Sequence, residues 1–197
     1  MSLEHAILGL LNEHPRSGYD LKTRCFDGPL SPLWSADQAQ IYRTLDKLEK
    51  LKFVSSRRKR QTGRPDRRIY EITHHGRESL GEWLGTPVPL APTRDPLLLQ
   101  VYFGSTLGDE ALLDVLASRR ASHQERLEGL RSASASLARD DTMSDRSMTL
   151  RQTALDGAIA RERATIDWLD DCIDAVTEGA LPGSNSAGIG QRHLFAT

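Results

Sequence analysis

The chain has 197 residues, 38% of them hydrophobic and 27% charged, with a formal net charge of −1 and two cysteines. That length allows one large core or two small ones. Cys25 and Cys172 are too few and too far apart for a disulfide framework or a cysteine zinc site, and no apolar run approaches the ~20 residues that span a bilayer.

The opening MSLEHAILGLLNEH carries Glu4 and lacks the basic segment of a secretion signal, so a cytoplasmic protein is the simplest reading. Net charge alone argues for no nucleic-acid partner, but the charge is unevenly spread. Residues 1–85 hold 15 Lys/Arg against 11 Asp/Glu, a net +4, and residues 86–197 hold 11 against 16, a net −5.

Ser2 is placed to cap a first helix through about Glu13, with Leu3, Ile7, Leu10 and Leu11 inward. His14-Pro15-Arg16 ends it, because proline disfavours helix in the residue before it. Ser17, with Asp20 as box partner, caps a second short helix carrying Tyr19, Leu21, Cys25 and Phe26. Gly28–Pro32 breaks the chain, and Trp34 is expected to anchor the connection in the core. Ser35 and Gln38 fit a capping box for a third helix, on which Ile41, Leu45 and Leu48 form one apolar face. Gln38, Gln40, Tyr42, Arg43 and Lys47 fall largely off that face, and such side chains read base edges or grip phosphates. Phe53–Ser56 and Ile69–Ile72 read as strands. Between them lies RRKRQTGRPDRR, with seven Lys/Arg (Arg57, Arg58, Lys59, Arg60, Arg64, Arg67, Arg68), one acid (Asp66), and Gly63 and Pro65 for the turn. Thr73 opens a helix through Leu84, with Leu80, Trp83 and Leu84 apolar. A capped helix followed by a cationic hairpin is the layout of a winged helix-turn-helix that grips DNA; the competing reading of 57–68 is a solvated loop.

The strings AILGLL (6–11), SGYDL (17–21), QIYRTLDKLE (40–49), RRIYEIT (67–73) followed by Gly76, and EWL (82–84) resemble the PadR family of bacterial transcriptional regulators. RDPLLLQVYF (94–103) resembles the start of that family's C-terminal domain. The family usually has glycine between recognition helix and wing, where this chain has Lys52. If that residue is left-handed, lysine costs about 1 kcal/mol relative to glycine. The resemblance also implies a phosphate contact for Tyr42, and small-molecule or phenolic-type effectors in some members.

Thr86–Pro92 holds three prolines and reads as a stiff spacer. Beyond it, Arg94–Phe103 is a short apolar helix. Asp109 caps a long helix to about Arg139, whose seam is Leu113, Leu116, Arg120, His123, Leu127, Leu130, Ser134 and Leu137. After a polar break at 140–145, a last helix from about Ser147 to Thr177 carries Leu155, Ile159, Ile166, Leu169, Ile173 and Val176 on one face, widened by Ala154, Ala158, Ala164 and Trp168. Stripes this wide point to a partner chain, against a self-contained antiparallel hairpin. Leu113, Leu116, Leu127, Leu130, Leu155, Ile159, Ile166, Leu169, Ile173 and Val176 are therefore the candidate dimer residues. The tail from Glu178, rich in Gly and Ser, reads as disordered.

The expected architecture is mainly α with a small β-hairpin wing: a DNA-binding domain (1–85), a linker (86–93), a helical dimerisation domain (94–178) and a tail (179–197). The expected function is a homodimeric regulator, a repressor, on a pseudo-palindromic promoter site, with Gln38, Gln40 and Arg43 at base edges or nearby phosphates and the wing cations at the backbone or minor groove. An effector of unknown identity would act by changing the spacing of the two heads, and Trp34, Trp83, Phe103 and Trp168 are aromatic candidates for its pocket. No HExxH, GxSxG or phosphate loop accompanies the six histidines, so neither an enzyme nor a cofactor is expected. His74-His75 has no carboxylate or cysteine at ligand spacing, and no metal is expected. The alternative function is a protein-interaction module without sequence-specific DNA binding.

Overall fold

The first helix, α1 (Ser2–Glu13), turns Ile7, Leu8 and Leu11 fully inward, with Leu3 and Leu10 half-buried beside them. It opens a computed structural model that describes residues 2–59, 67–90, 92, 94–137 and 144–178. Arg60, Gly63, Arg64, Pro65, Asp66 and the expected tail at 179–197 lie outside the described residues, as does most of the polar break at 140–145. The chain divides into two compact units, one built on Met1–Pro92 with Ala133–Met148 and the other on Thr93–Ser132 with Thr149–Thr197.

In the first unit, Arg16–Ser17 forms a two-residue strand, β1, not anticipated from the sequence. The Ser17–Asp20 capping box is present as expected: Asp20 N–H donates to Ser17 Oγ (3.1 Å) and Ser17 N–H donates to Asp20 Oδ2 (3.2 Å). The short helix α2 (Gly18–Asp20) runs on as a π-helical stretch, Leu21–Phe26, that buries Leu21, Cys25 and Phe26.

Helix α3 (Gln38–Lys50) begins two residues later than the sequence suggests. Its cap is Asp37, not Ser35, and its box partner is Gln40, not Gln38: Gln40 N–H donates to Asp37 Oδ1 at 2.7 Å, and Asp37 N–H donates to Gln40 Oε1 at 3.1 Å. Ala36 decides the choice. It is buried in the same core as Ile41, and these are the two positions that a hydrophobic staple joins when Asp37 is the cap. Trp34, expected in the core, is 40% exposed; Leu30 and Ala36 take that role.

Ile41, Leu45 and Leu48 are completely buried, as their spacing requires. The helix ends in a Schellman motif, with Phe53 N–H donating to Leu48 O and Lys52 N–H to Glu49 O, both at 2.9 Å. Lys52 occupies its left-handed position at φ 60°. Strands β2 (Val54–Lys59) and β3 (Arg67–Ile72) then pair antiparallel, Val54 opposite Ile72 and Lys59 opposite Arg67; β1 joins the other edge of β3, giving the order β1-β3-β2. Thr73 caps α4 (His74–Gly85), which buries Leu80 and leaves Leu84 exposed. Gly76 is required there, since a Cβ would lie 2.1 Å from the Phe53 carbonyl oxygen.

In the second unit, Asp95 caps α5 (Pro96–Tyr102), which leads through a 3-10 turn (Gly104–Thr106) into α6 (Asp109–Leu137), whose residues up to Ser132 belong to this unit. Helix α7 (Asp145–Thr177) returns antiparallel to α6. Leu97, Leu116 and Leu169 form the core, with Val101, Leu112, Trp168, Cys172, Ile173 and Val176 against it. The polar positions of the seam are paired. Arg120 makes a two-bond contact with Asp170, His123 Nδ1 lies 2.6 Å from Glu162 Oε2, and Arg126 lies 3.1 Å from Glu162 Oε1. Ala154 and Ala164 do not widen the buried stripe; both are exposed.

Two substitutions test this local accounting by urea denaturation. Lys52→Gly should raise the unfolding free energy by about 1 kcal/mol, by relieving the left-handed conformation. Gly76→Ala should lower it by about 1–3 kcal/mol, because the Phe53 carbonyl is backbone and cannot step aside.

Candidate nucleic-acid interface

Helix α3 presents a buried strip and two polar flanks. On one flank, the Tyr42 ring lies against Gly18 so closely that a Cβ there would be 2.6 Å from Tyr42 Cε1. The contact is with α2 and accounts for the glycine in the S-G-Y-D string. Asp46 and Glu49 continue this flank toward the wing. The other flank, Gln40, Arg43, Thr44 and Lys47, borders a groove of about 420 Å³ completed by Leu3, Trp34 and Ser35.

The candidate contact residues separate into two groups. Gln38 and Arg43 on α3, and Arg57 and Arg58 on β2, are exposed, and none of these three arginines forms an ion pair with a described residue. Tyr42 is 37% exposed, so part of its ring faces outward. Gln40 is exposed, but its amide oxygen is committed to the cap of α3. Lys47 Nζ is paired with Glu4 Oε1 of α1 at 2.5 Å. For Lys59 only the backbone is described.

Arg67 and Arg68, counted with the wing cations from sequence, are tied inward. Arg67 donates to Asp20 and to Ser17 Oγ (3.0 Å) and lies over the Tyr19 ring. Arg68 donates to Glu49 and to Ser56 Oγ (2.8 Å), lies 3.7 Å from Asp46, and covers the Tyr70 ring at 5.1 Å. Ser56 Oγ in turn donates to Glu49 Oε1 at 2.6 Å. Arg68 thus latches the wing to α3, and Arg67 latches β3 to α2. Sequence reasoning missed the acids that hold them; the available signal was Asp46 and Glu49, four and one residues from the end of a helix that precedes a cationic hairpin.

The aromatic pocket candidates do not converge. Trp34 lines the α3 groove, Trp83 stacks on His5 at 4.5 Å, Trp168 packs on the core of the helical unit, and Phe103 is exposed. Glu78 approaches both His74 Nε2 (3.8 Å) and His75 Nδ1 (3.3 Å), which corrects the expectation that no carboxylate joins them. All three are exposed at distances well beyond metal–ligand bonds of about 2.0–2.2 Å, and among the described residues no group of three such side chains is placed to hold a metal. Of the ten candidate dimer residues, Leu116, Leu127, Leu130, Leu155, Ile159, Ile166 and Leu169 are buried within the single chain. Leu113, Ile173 and Val176 are half-buried. The stripes are therefore covered largely without a partner.

The two latches have a pH signature. Burial pushes the Asp20 carboxyl up, but hydrogen bonds from Ser17 and the Arg67 guanidinium outweigh it and hold the group below its ordinary value of 3.8. Glu49 is held below 4.5 chiefly by the Ser56 hydroxyl, against burial and with help from Arg68. A lowered folded-state pKa gives stability that is present above the unfolded pKa and is lost as pH falls through the folded one. Urea midpoints should therefore drop below about pH 4.5 in the parent protein, and drop less steeply in Asp20→Asn/Glu49→Gln.

Comparison with known proteins places this arrangement. Residues 7–82 match the transcriptional regulator PadR-like family, and residues 93–177 match the virulence activator alpha C-terminal family. The probable transcriptional regulator Rv1176c of Mycobacterium tuberculosis is 34% identical over 188 residues, covering 90% of this chain and 99% of that protein. The negative transcriptional regulator PadR of Bacillus subtilis is 32% identical over 174 residues, covering 87% and 95%. The structure of B. subtilis PadR in complex with operator DNA superposes with a TM-score of 0.74 at 28% identity over 89% of this chain and 99% of that one; its complex with p-coumaric acid gives 0.71 at 28% identity over 90% and 99%. No described helix is long and apolar enough to cross a membrane. The expected mainly helical fold with a small antiparallel sheet, and the resemblance carried by the five sequence strings, are borne out: the chain belongs to the PadR-like family of transcriptional regulators.

Proposed function

We propose that this regulator represses transcription from the cytoplasm by occupying a pseudo-palindromic promoter site as a homodimer, residues 1–85 binding DNA and 94–178 joining the two copies. The observation that carries the DNA reading is the division of the cations: Arg43, Arg57 and Arg58 have no ion pair among the described residues, while Arg67 and Arg68 hold the surrounding frame. Helix α3 enters a major groove with Gln38, Arg43 and the Nε2 end of Gln40 at base edges or adjacent phosphates. Tyr42 reaches a phosphate, and Lys47 meets the backbone at most. Arg57, Arg58 and Lys59, with Arg60 and Arg64 beyond the described residues, supply the wing's contacts to the backbone or minor groove. Two copies present α3 to successive major grooves about 34–36 Å apart.

A relative solved with both operator DNA and p-coumaric acid supports an effector-responsive protein. A small molecule would release DNA to the extent that it prefers one spacing of the two heads over the other. Nothing in this role requires a cofactor or catalysis.

Titration of a fluorescent operator duplex across salt concentrations tests the assignment. Arg43→Ala, Arg57→Ala and Arg58→Ala should each weaken binding and reduce the slope of log K against log salt by about one where the side chain meets a phosphate. Arg68→Ala should weaken binding with little change in slope, since its charge is already paired. Unchanged affinity and slope in all of the first three variants would refute the interface. Absence of salt-sensitive duplex binding in the parent chain would favour a protein-interaction module.

A further inference from the structure

Two cations stand one turn apart on the groove side of α3, and the fold treats them differently. Arg43 forms no ion pair with a described residue, whereas Lys47 is held by Glu4 of α1. The two partners are 43 positions apart in the chain, so tertiary packing, not local helix pairing, brings them together. Glu4 is well anchored. It lies in the first turn of α1, where unsatisfied backbone N–H groups favour an anion. Leu3 beside it packs against the core, and the Glu4 side chain is only 19% exposed. Lys47 lies in the last turn of α3, where a helix favours a cation, and its side chain is 48% exposed. A fixed carboxylate thus stands behind an ammonium that borders the groove and is open to solvent.

We propose that Glu4 sets the strength of DNA binding by withholding Lys47 from phosphate, so that α3 makes one backbone contact fewer than its own sequence supplies. The proposal rests on the DNA-binding reading above and gives a role to a residue outside α3 and the wing. The physical reason is ion exchange. A lysine that meets a phosphate displaces a condensed cation from the duplex, and that release drives the contact at low salt. If Lys47 leaves Glu4 to make the contact, the stranded carboxylate takes up a cation in its place, and the net release is close to zero. If Lys47 stays, the carboxylate is carried toward the phosphates with it, and their repulsion opposes the contact. Arg43 meets neither obstacle. A phosphate contact carries no sequence information, so withholding one lowers affinity for every duplex. It matters most on unrelated DNA, where binding is almost wholly electrostatic.

The full chain tests this by titration with the operator and with an unrelated duplex of equal length, between about 50 and 200 mM salt. Circular dichroism confirms that each variant is folded, and Glu4→Ala repeats the test if Glu4→Gln is not. Glu4→Gln should tighten binding to both duplexes and steepen log K against log salt by about 0.9, so that its gain over the parent shrinks roughly threefold across that range. In a Lys47→Met background the same change should steepen the slope by less than about half as much, because no cation is there to be released. Glu13→Gln, which removes an equal charge from the far end of α1, should leave the slope as it is in the parent. A parent-like slope in folded Glu4→Gln, an equal steepening in the Lys47→Met background, or an equal steepening from Glu13→Gln would overturn the role of Glu4 and leave the DNA-binding reading standing. A parent chain without salt-sensitive duplex binding would overturn both.

Discussion

The guanidinium of Arg68 ties the wing to α3 in the first unit. It joins the last turn of α3, through Glu49 and Asp46, to the first half of β2, through Ser56, while lying on the Tyr70 ring of its own strand. Ser56 Oγ donates to the same Glu49 carboxylate, so wing, helix and guanidinium share one hydrogen-bonded cluster. These directional bonds set β2 against α3, and the exposed Arg57 and Arg58 of that strand inherit the geometry. Arg67 does the same toward α2. The pairs are partly solvent-exposed, so their importance lies in alignment more than in stability.

This division of labour accounts for both the reach and the limit of the sequence. Ile41, Leu45 and Leu48 are legible because helical period and full burial coincide. The hairpin is legible because strand patterns flank a dense run of like charge, and so much mutual repulsion is tolerated most readily on a turn that faces solvent or an anion. Which cations face outward is not legible, since it depends on acids 19 and 47 residues away in the chain. The start of α3 is two residues from its expected place because Ser35 and Asp37 satisfy the same capping rule, and only the burial of Ala36 distinguishes them. The left-handed position at 52 is legible from the family pattern, and lysine occupies it because the Schellman bonds around it are made regardless of side chain.

In the helical unit, the period of the apolar stripes reveals the helices and hides their partner. Stripes on α6 and α7 are wide enough to suggest two chains, yet they meet within one. Polar residues along the seam, which read as interruptions, are instead the points where the two helices recognise each other. Arg120 answers Asp170, and His123 and Arg126 both answer Glu162.

That last arrangement has a mechanical consequence. Glu162 is nearly sealed from solvent, and its two carboxylate oxygens are each claimed by a different residue of the opposite helix. A slip by one turn would strand this anion in an apolar seam, at a cost of about 3–5 kcal/mol. The pairing of Glu162 with His123 and Arg126 therefore fixes the register of α6 against α7.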